Sequence, residues 1–297
     1  MANLKVIRTR IESVASTRQI TSAMKMVSAA KLRRAQEAIV NLRPYADKFQ
    51  SILESISDSL KDDEDFVYTK EKENIEKVLL VVITSNRGLC GAFNTNVIKQ
   101  SIYSAQKNYG EQLKKNNVDF FAIGKKGEDY LKKKGFKIVK SRNDIYESLK
   151  FENVSVIAEY IMNQFTSGEY DRVEIIYNQF KNAAVQILKD EQFLPVKVEE
   201  VKEEKLILRA FTDYIFEPSK EYIVKELIPG SLKLKLFKAM IDSYAAEHGA
   251  RMTAMHKATD NATDMIKQLK LDYNKARQAS ITNEILEIVS GANALRG

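Results

Sequence analysis

The chain has 297 residues, 44% of them hydrophobic and 29% charged, a balance that excludes an intrinsically disordered chain. No apolar run approaches the roughly 18–20 residues of a membrane span, and the opening MANLKVIRTRIESV lacks the apolar core of a secretion signal. Formal net charge is +7, and residues 1–43 alone account for it, with nine Lys or Arg against Glu12 and Glu37; this end reads as a basic rod that seeks an acidic partner.

Residues 1–60 predict a long helix. No glycine precedes Gly88 and the only proline before it is Pro44; a helix interior pays about 1 kcal/mol for glycine and about 3 for proline. Leu4, Ile7, Ile11 and Val14 step by three and four, and after a polar stretch Ile20, Met24 and Val27 resume the pattern. The stripe is narrow, as in a coiled-coil seam. Pro44 is expected to kink the helix, which resumes through Phe49, Ile52, Leu53 and Ile56, and the acid-rich run Lys61–Asp65 reads as a loop.

The middle, residues 75–195, has a different texture. Lys77–Thr84 is a short β-branched run bounded by Ser85, Asn86 and Gly88, and it predicts a buried strand. Helical spacing follows through Val97, Ile98 and Ile102. Then come a strand at Val118–Ile123, a helix at Lys125–Lys134 closed by Gly135, and a strand at Phe136–Val139. A helix at Val154–Phe165 precedes strands at Arg172–Tyr177 and Val185–Leu188. Alternating strand and helix imply a doubly wound, mostly parallel α/β domain.

The C-terminal segment, 210–290, returns to helix. From Ser231 to Ser290 there is no proline and one glycine, Gly249. Met255, Ala258, Ala262, Met265 and Leu269 form a stripe that Tyr273, Ala276, Ile281, Ile285 and Ile288 continue with drift. Long helices with narrow apolar stripes need a partner. The simplest arrangement is an antiparallel coiled coil of the two chain ends, with the end of the longer C-terminal helix projecting or sheathed by other proteins.

Catalytic signals are weak. Thr84-Ser85-Asn86-Arg87-Gly88-Leu89-Cys90-Gly91 sits at the carboxyl end of a predicted strand, where α/β folds place ligands, but it is not GxGxxG, and no GxxxxGK[ST] occurs. Cys90 is the single cysteine; it cannot form an internal disulfide, fits a reducing cytosol, and reads as a small residue in a tight turn rather than a nucleophile. His248 and His256 are eight apart on a helix, whereas a helical metal pair wants four, and one cysteine builds no zinc site. No cofactor, metal or catalytic residue is expected. The basic helix could bind nucleic acid as a coiled-coil adaptor, yet it has no aromatic residue before Tyr45 to stack on bases.

Both ends also carry family motifs. Ile20-Thr21-Ser22-Ala23-Met24-Lys25-Met26-Val27-Ser28-Ala29-Ala30-Lys31-Leu32 closely resembles the N-terminal signature of the gamma subunit of rotary F-type ATP synthases. Ala250-Arg251-Met252-Thr253-Ala254-Met255, Ala258-Thr259-Asp260-Asn261-Ala262 and the run from Tyr273 to Ala292 resemble its C-terminal blocks, and Arg87-Gly88-Leu89-Cys90-Gly91-Ala92-Phe93-Asn94 resembles its strand-end motif. Asn86 departs from the aspartate common there.

The resemblance implies a non-catalytic rotor. Its terminal helices would form an antiparallel coiled coil inside a ring of three alpha and three beta subunits. The α/β domain would sit with the epsilon subunit against the membrane c ring, peripheral to the cytoplasmic side of a bacterial inner membrane. By position it implies Met24 and Lys25 near an acidic lever of beta; Arg277, Gln278 and Thr282 as the upper grip; Arg251 in support; and Tyr214 and Glu217 facing the c ring.

Overall fold

The computed structural model describes residues 4–60, 68, 69, 72, 74–196 and 220–294. The chain divides into two compact units, Met1–Ala29 with Arg251–Gly297, and Ala30–Ala250. Two long helices contribute to both: α1 (Leu4–Leu60) and α6 (Lys220–Ala294).

The larger unit is built on a five-stranded sheet. Its strands are β1 (Val78–Ile83), β2 (Val118–Ile123), β3 (Ile138–Arg142), β4 (Arg172–Phe180) and β5 (Gln186–Leu194), in the order β3-β2-β1-β4-β5. The first four run parallel, and β5 returns antiparallel on β4 because a tight turn, not a helix, joins them. Strands β1 and β2 are buried at every position, which is why β1 reads as a continuous apolar run and β2 as one broken only by Asp119.

Helices cover both faces. On one, Val78, Leu80 and Val82 pack with Phe120 against Val97 and Ala105 of α2 (Phe93–Asn108) and Leu131 of α4 (Lys125–Lys133). A short α3 (Gly110–Lys114) follows α2. On the other face Leu79, Val81 and Ile83 pack with Phe121 and Ile175 against Ile157 and Ile161 of α5 (Phe151–Thr166). The same cluster takes in Ile228, Leu232, Leu236, Ala239 and Met240 of α6. Their spacing of three and four sets one stripe of the helix on the sheet, so the first third of α6 is part of the α/β core.

Several boundaries differ from the sequence expectation. The third strand begins at Ile138 rather than Phe136, because Gly135 turns the chain (φ 82°) and Phe136 packs beside Phe120, ring centroids 5.0 Å apart. Edge strands β3 and β5 extend through polar residues that carry no alternation to read. Helix α1 continues through Pro44, and α6 starts before Pro229 and runs on through Gly230, where Phe49 of α1 comes within 3.4 Å of the position a Cβ would take. Buried Ile228 and Leu232 flank that proline and glycine and outweigh their helix-breaking tendency. A one-turn 3-10 helix at Asp144–Glu147 had no signal in the sequence. The run 61–65, expected as a loop, lies outside the described residues.

Three buried carboxylates inside the unit have partners. Glu174 accepts from Tyr109 and Ser104, and Asp119 from Tyr170 and Lys137. Burial works to raise the Asp171 pKa, but Lys72 and the amides of Glu76 and Lys77 hold it below the usual carboxylate value. Burial first, then carboxylate neighbours, pushes the phenols of Tyr109, Tyr170 and Tyr177 above their ordinary range. Tyr146 is raised by burial, with Glu247 and Tyr244 adding to it.

Two outcomes follow from this packing. Leu236→Ala empties a fully buried site under the sheet, and urea unfolding should show a loss of about 2–5 kcal/mol. The folded pKa of each raised phenol lies above its unfolded value of about 10. Their contribution to stability is therefore fully present below that pH and is lost as pH rises beyond it. Phenolate absorbance near 295 nm should appear for these tyrosines only with loss of the circular-dichroism signal; titration in the intact fold would contradict the assignment.

Candidate partner-contact surfaces

The smaller unit is a helical pair. Thr21 and Thr259 meet at 2.8 Å between hydroxyls, and Lys25 Nζ lies 3.5 Å from His256 Nδ1. As residue numbers rise on one helix they fall on the other, so the pairing is antiparallel. Leu4, Ile7, Ile11, Val14, Arg18, Thr21, Lys25 and Ser28 of α1 all have reduced exposure and step by three and four, with Ala15, Ser22, Met24 and Ala29 half-buried beside them. On α6 the buried seam is Met255, Ala262, Ile266 and Leu269.

This seam corrects the stripe expected from apolar residues alone. Ile20 and Val27 are 58% and 57% exposed, and the seam passes instead through polar Arg18, Thr21, Lys25 and Ser28. On α6 Ile266, not Met265, faces inward. The heptad rhythm from Leu4 would have found these positions; hydropathy hides them. Here the hydroxyls turn to their own helices, Thr21 to the Arg18 carbonyl, Ser28 to Met24 and Thr259 to Met255.

Because the inward positions are polar, apolar side chains are left outside. Ile20, Ala23, Met26 and Val27 share an outer face of α1. Past Ala276, the register set by the Thr21–Thr259 pair leaves α6 without a described stretch of α1 opposite it. There Ile281, Ile285, Ile288 and Val289 are all exposed on one arc of the helix. That arc also holds Arg277, Gln278 and Thr282, and the Thr282 hydroxyl donates to the Gln278 carbonyl at 2.9 Å.

The other anticipated contact residues fall as follows. Met24 and Lys25 are half-buried one step apart, Lys25 at the seam beside His256. Arg251 is buried, 7% exposed, with partners inside the protein. Tyr214 and Glu217 lie outside the described residues. Two of the α1 cations make exposed pairs along their own helix, Arg8–Glu12 and Arg33–Glu37, worth about 0.3–0.5 kcal/mol each.

In the larger unit the strand-end motif is an internal brace. The Asn86 side chain accepts from the Lys125 amide at 3.0 Å and donates to the Asn143 carbonyl at 2.6 Å. The Lys126 amide donates to Ser85 O, the Gly127 amide to Thr84 Oγ1. The first amides of α4, which in other α/β proteins hold anions, are thus bonded to protein oxygens. Gly124 (φ 101°) allows this: a Cβ there would lie 2.1 Å from the Thr84 carbonyl oxygen. Cys90 is buried, with the Asn94 side-chain amide 3.3 Å from its sulfur. Among the described residues no helix is long and apolar enough to cross a membrane.

A helical pair that leaves rows of apolar side chains uncovered belongs to the class of proteins that assemble with others. The ATP synthase family model matches residues 3–295. ATP synthase gamma chains of Flavobacterium psychrophilum and Christiangramia forsetii are 59% and 57% identical over 297 residues, all of each chain. Among solved structures, the central stalk and c-ring structure of the Tetrahymena thermophila mitochondrial ATP synthase contains a chain 26% identical to this one. That match has a TM-score of 0.59 and covers 80% of this chain and 99% of the other. The chain belongs to the ATP synthase gamma-chain family. The nucleic-acid adaptor finds no support in these relatives.

The polar seam gives a specific expectation. Thr259→Val alone leaves the Thr21 hydroxyl facing a methyl group, and should cost about 1 kcal/mol in urea unfolding. Adding Thr21→Val should restore most of that loss, since removing both partners of a buried polar pair is nearly neutral. Additive losses in the double mutant would show that the two hydroxyls do not interact.

Proposed function

We propose that this chain is the central-stalk rotor of a proton-translocating ATP synthase, carrying torque between the membrane c ring and a catalytic ring of three alpha and three beta subunits. The observation that carries the reading is identity above half to gamma chains over the full length. The geometry supports it: the last stretch of α6 has apolar side chains on an arc with no described partner, as a helix end enclosed by a protein sleeve requires. In this reading residues 1–60 and 210–290 are the shaft segments and 75–195 the foot.

The chain itself performs no chemistry. ATP is made and hydrolysed on beta. The shaft acts through differential affinity: each of its orientations favours one conformation of each catalytic subunit, so turning it shifts the three sites in sequence. Arg277, Gln278 and Thr282 supply polar contacts amid the apolar arc and form the upper grip. The row of Ile20, Met26 and Val27, beside Met24, Lys25 and the surrounding cations, is suited to an acidic, partly apolar lever on beta, with Arg251 supporting the helix from within. Tyr214 and Glu217 face the c ring, and the epsilon subunit packs at the foot. The assembly sits peripherally on the cytoplasmic side of the inner membrane.

The test is reconstitution. The purified chain should neither bind nor turn over ATP, and should restore ATP-driven proton pumping when combined with alpha, beta and epsilon on membranes holding the c ring. ATP turnover by the chain alone, or binding to the ring without coupling, would sink the reading. Arg277→Ala with Gln278→Ala should leave the melting temperature within about 2 °C, since both residues are exposed. The pair should lower pumping severalfold; unchanged pumping counts against the grip.

A further inference from the structure

Gly249 is the one glycine between Ser231 and Ser290, and it sits inside helix α6, where nothing about a turn calls for it. Its surroundings explain it. A Cβ at this position would lie 3.1 Å from the Ala183 Cα, 3.3 Å from the Ala183 carbonyl oxygen and 3.4 Å from the Phe180 ring. The turn joining β4 and β5 is thus pressed backbone to backbone against the helix. A turn of helix away, Ala246 packs with Cys90 and Phe93 of the strand-end loop, flanked by Phe180 and Ala250. From a third side the Tyr146 ring stacks on Tyr244, with centroids 6.2 Å apart and planes at 16°, and Tyr244 meets His248 edge-on at 4.5 Å.

Each of these three elements is itself anchored to the sheet. The Tyr146 hydroxyl donates to the Thr84 carbonyl at the end of β1, 2.7 Å away. Asn178 of β4 donates its side-chain amide to the Phe93 carbonyl at 3.0 Å. The β4–β5 turn continues the ladder of those two strands. As a result every residue of α6 from Ala239 to Gly249 except Tyr244 is buried, so the helix is covered all round for about three turns. A surface helix shows one buried stripe; a helix covered on every side cannot roll about its axis without breaking packing in several directions at once.

We propose that this collar, formed by Cys90 and Phe93, Phe180 and Ala183, and Tyr146, is the joint through which torque passes between the α/β domain and helix α6, with Gly249 and Tyr244 as the positioning residues that let it close. The proposal rests on the rotor reading. Gripping a helix against rotation needs contacts at large angles around its axis and close to its backbone, where side chains cannot bend away. The Gly249–Ala183 approach and the aromatic stack supply them from different sides. The strand-end motif, which looked catalytic in the sequence, is one jaw of this joint: Ser85, Asn94 and Cys90 bond to one another and stiffen it.

The experiment measures protons pumped per ATP hydrolysed in the complex reassembled with alpha, beta and epsilon on c-ring membranes. Gly249→Val forces the Ala183 turn away and should lower that ratio at least threefold while hydrolysis stays within twofold of wild type. Gly249→Ala, whose contacts need shifts of only tenths of an ångström, should lower it less. Tyr146→Phe adds no bulk and removes one bond, and should also lower the ratio. Lys238→Val, the same β-branched side chain at an exposed position of α6, should leave it unchanged. Wild-type ratios in both Gly249→Val and Tyr146→Phe overturn the joint. So does a loss matched by an equal fall in assembled complex for both, which is what a merely structural role predicts. Failure of the wild-type chain to pump overturns the rotor reading itself, a result separable from failure of the variants alone.

Discussion

Helix α6 must satisfy two unlike surroundings along its length. From Ile228 to Met240 it lays an apolar stripe on the sheet, and from Met255 to Leu269 it lays another on α1. Between them it is enclosed. A helix presents a new direction every 100°, so these demands select residues at every angle in turn. Wide apolar residues appear where it meets the sheet, small ones (Ala245, Ala246, Gly249) where backbones approach, and a narrow mixed seam where it meets a single partner. The placement of the strand-end loop and of the β4–β5 turn follows from the need to reach that enclosed segment.

The polar centre of the helical pair has a different logic. An apolar seam would be more stable, yet Arg18, Thr21, Lys25 and Ser28 occupy it on α1. Hydroxyls that bond to their own helices and to each other tolerate only one register, much as single polar residues in coiled coils specify alignment at some cost in stability. The apolar residues displaced from the seam then form the outer rows. One substitution pattern thus both sets the register and leaves a surface for partners.

The strand-end motif shows how a site-like signal arises from structure. Thr84, Ser85 and Asn86 accept amides of α4, and Asn86 reaches across to Asn143. An aspartate at position 86 would accept from Lys125 equally well but could not donate to Asn143, so the asparagine serves two elements where a carboxylate would serve one. The signature residues of a ligand-binding turn are here turned inward and consumed by the fold.

The sequence by itself determined the element order, the buried parallel strands and the two long terminal helices. Continuous β-branched runs and the absence of glycine and proline are local properties with direct consequences for the backbone. It also carried the family motifs, because those are strings of residues. Only the tertiary structure decided which helix face points inward, since hydropathy placed Ile20 and Val27 in a seam that Thr21 and Lys25 occupy. It decided too that α6 passes through Pro229 and Gly230, and that its first third belongs to the sheet. The reason Gly249 stands in a helix lies 66 residues earlier, at Ala183. Such choices rest on contacts between segments far apart in the chain. A breaker in a helix is unfavourable locally and acceptable only when neighbours cover it, and that covering is written in no single stretch of sequence.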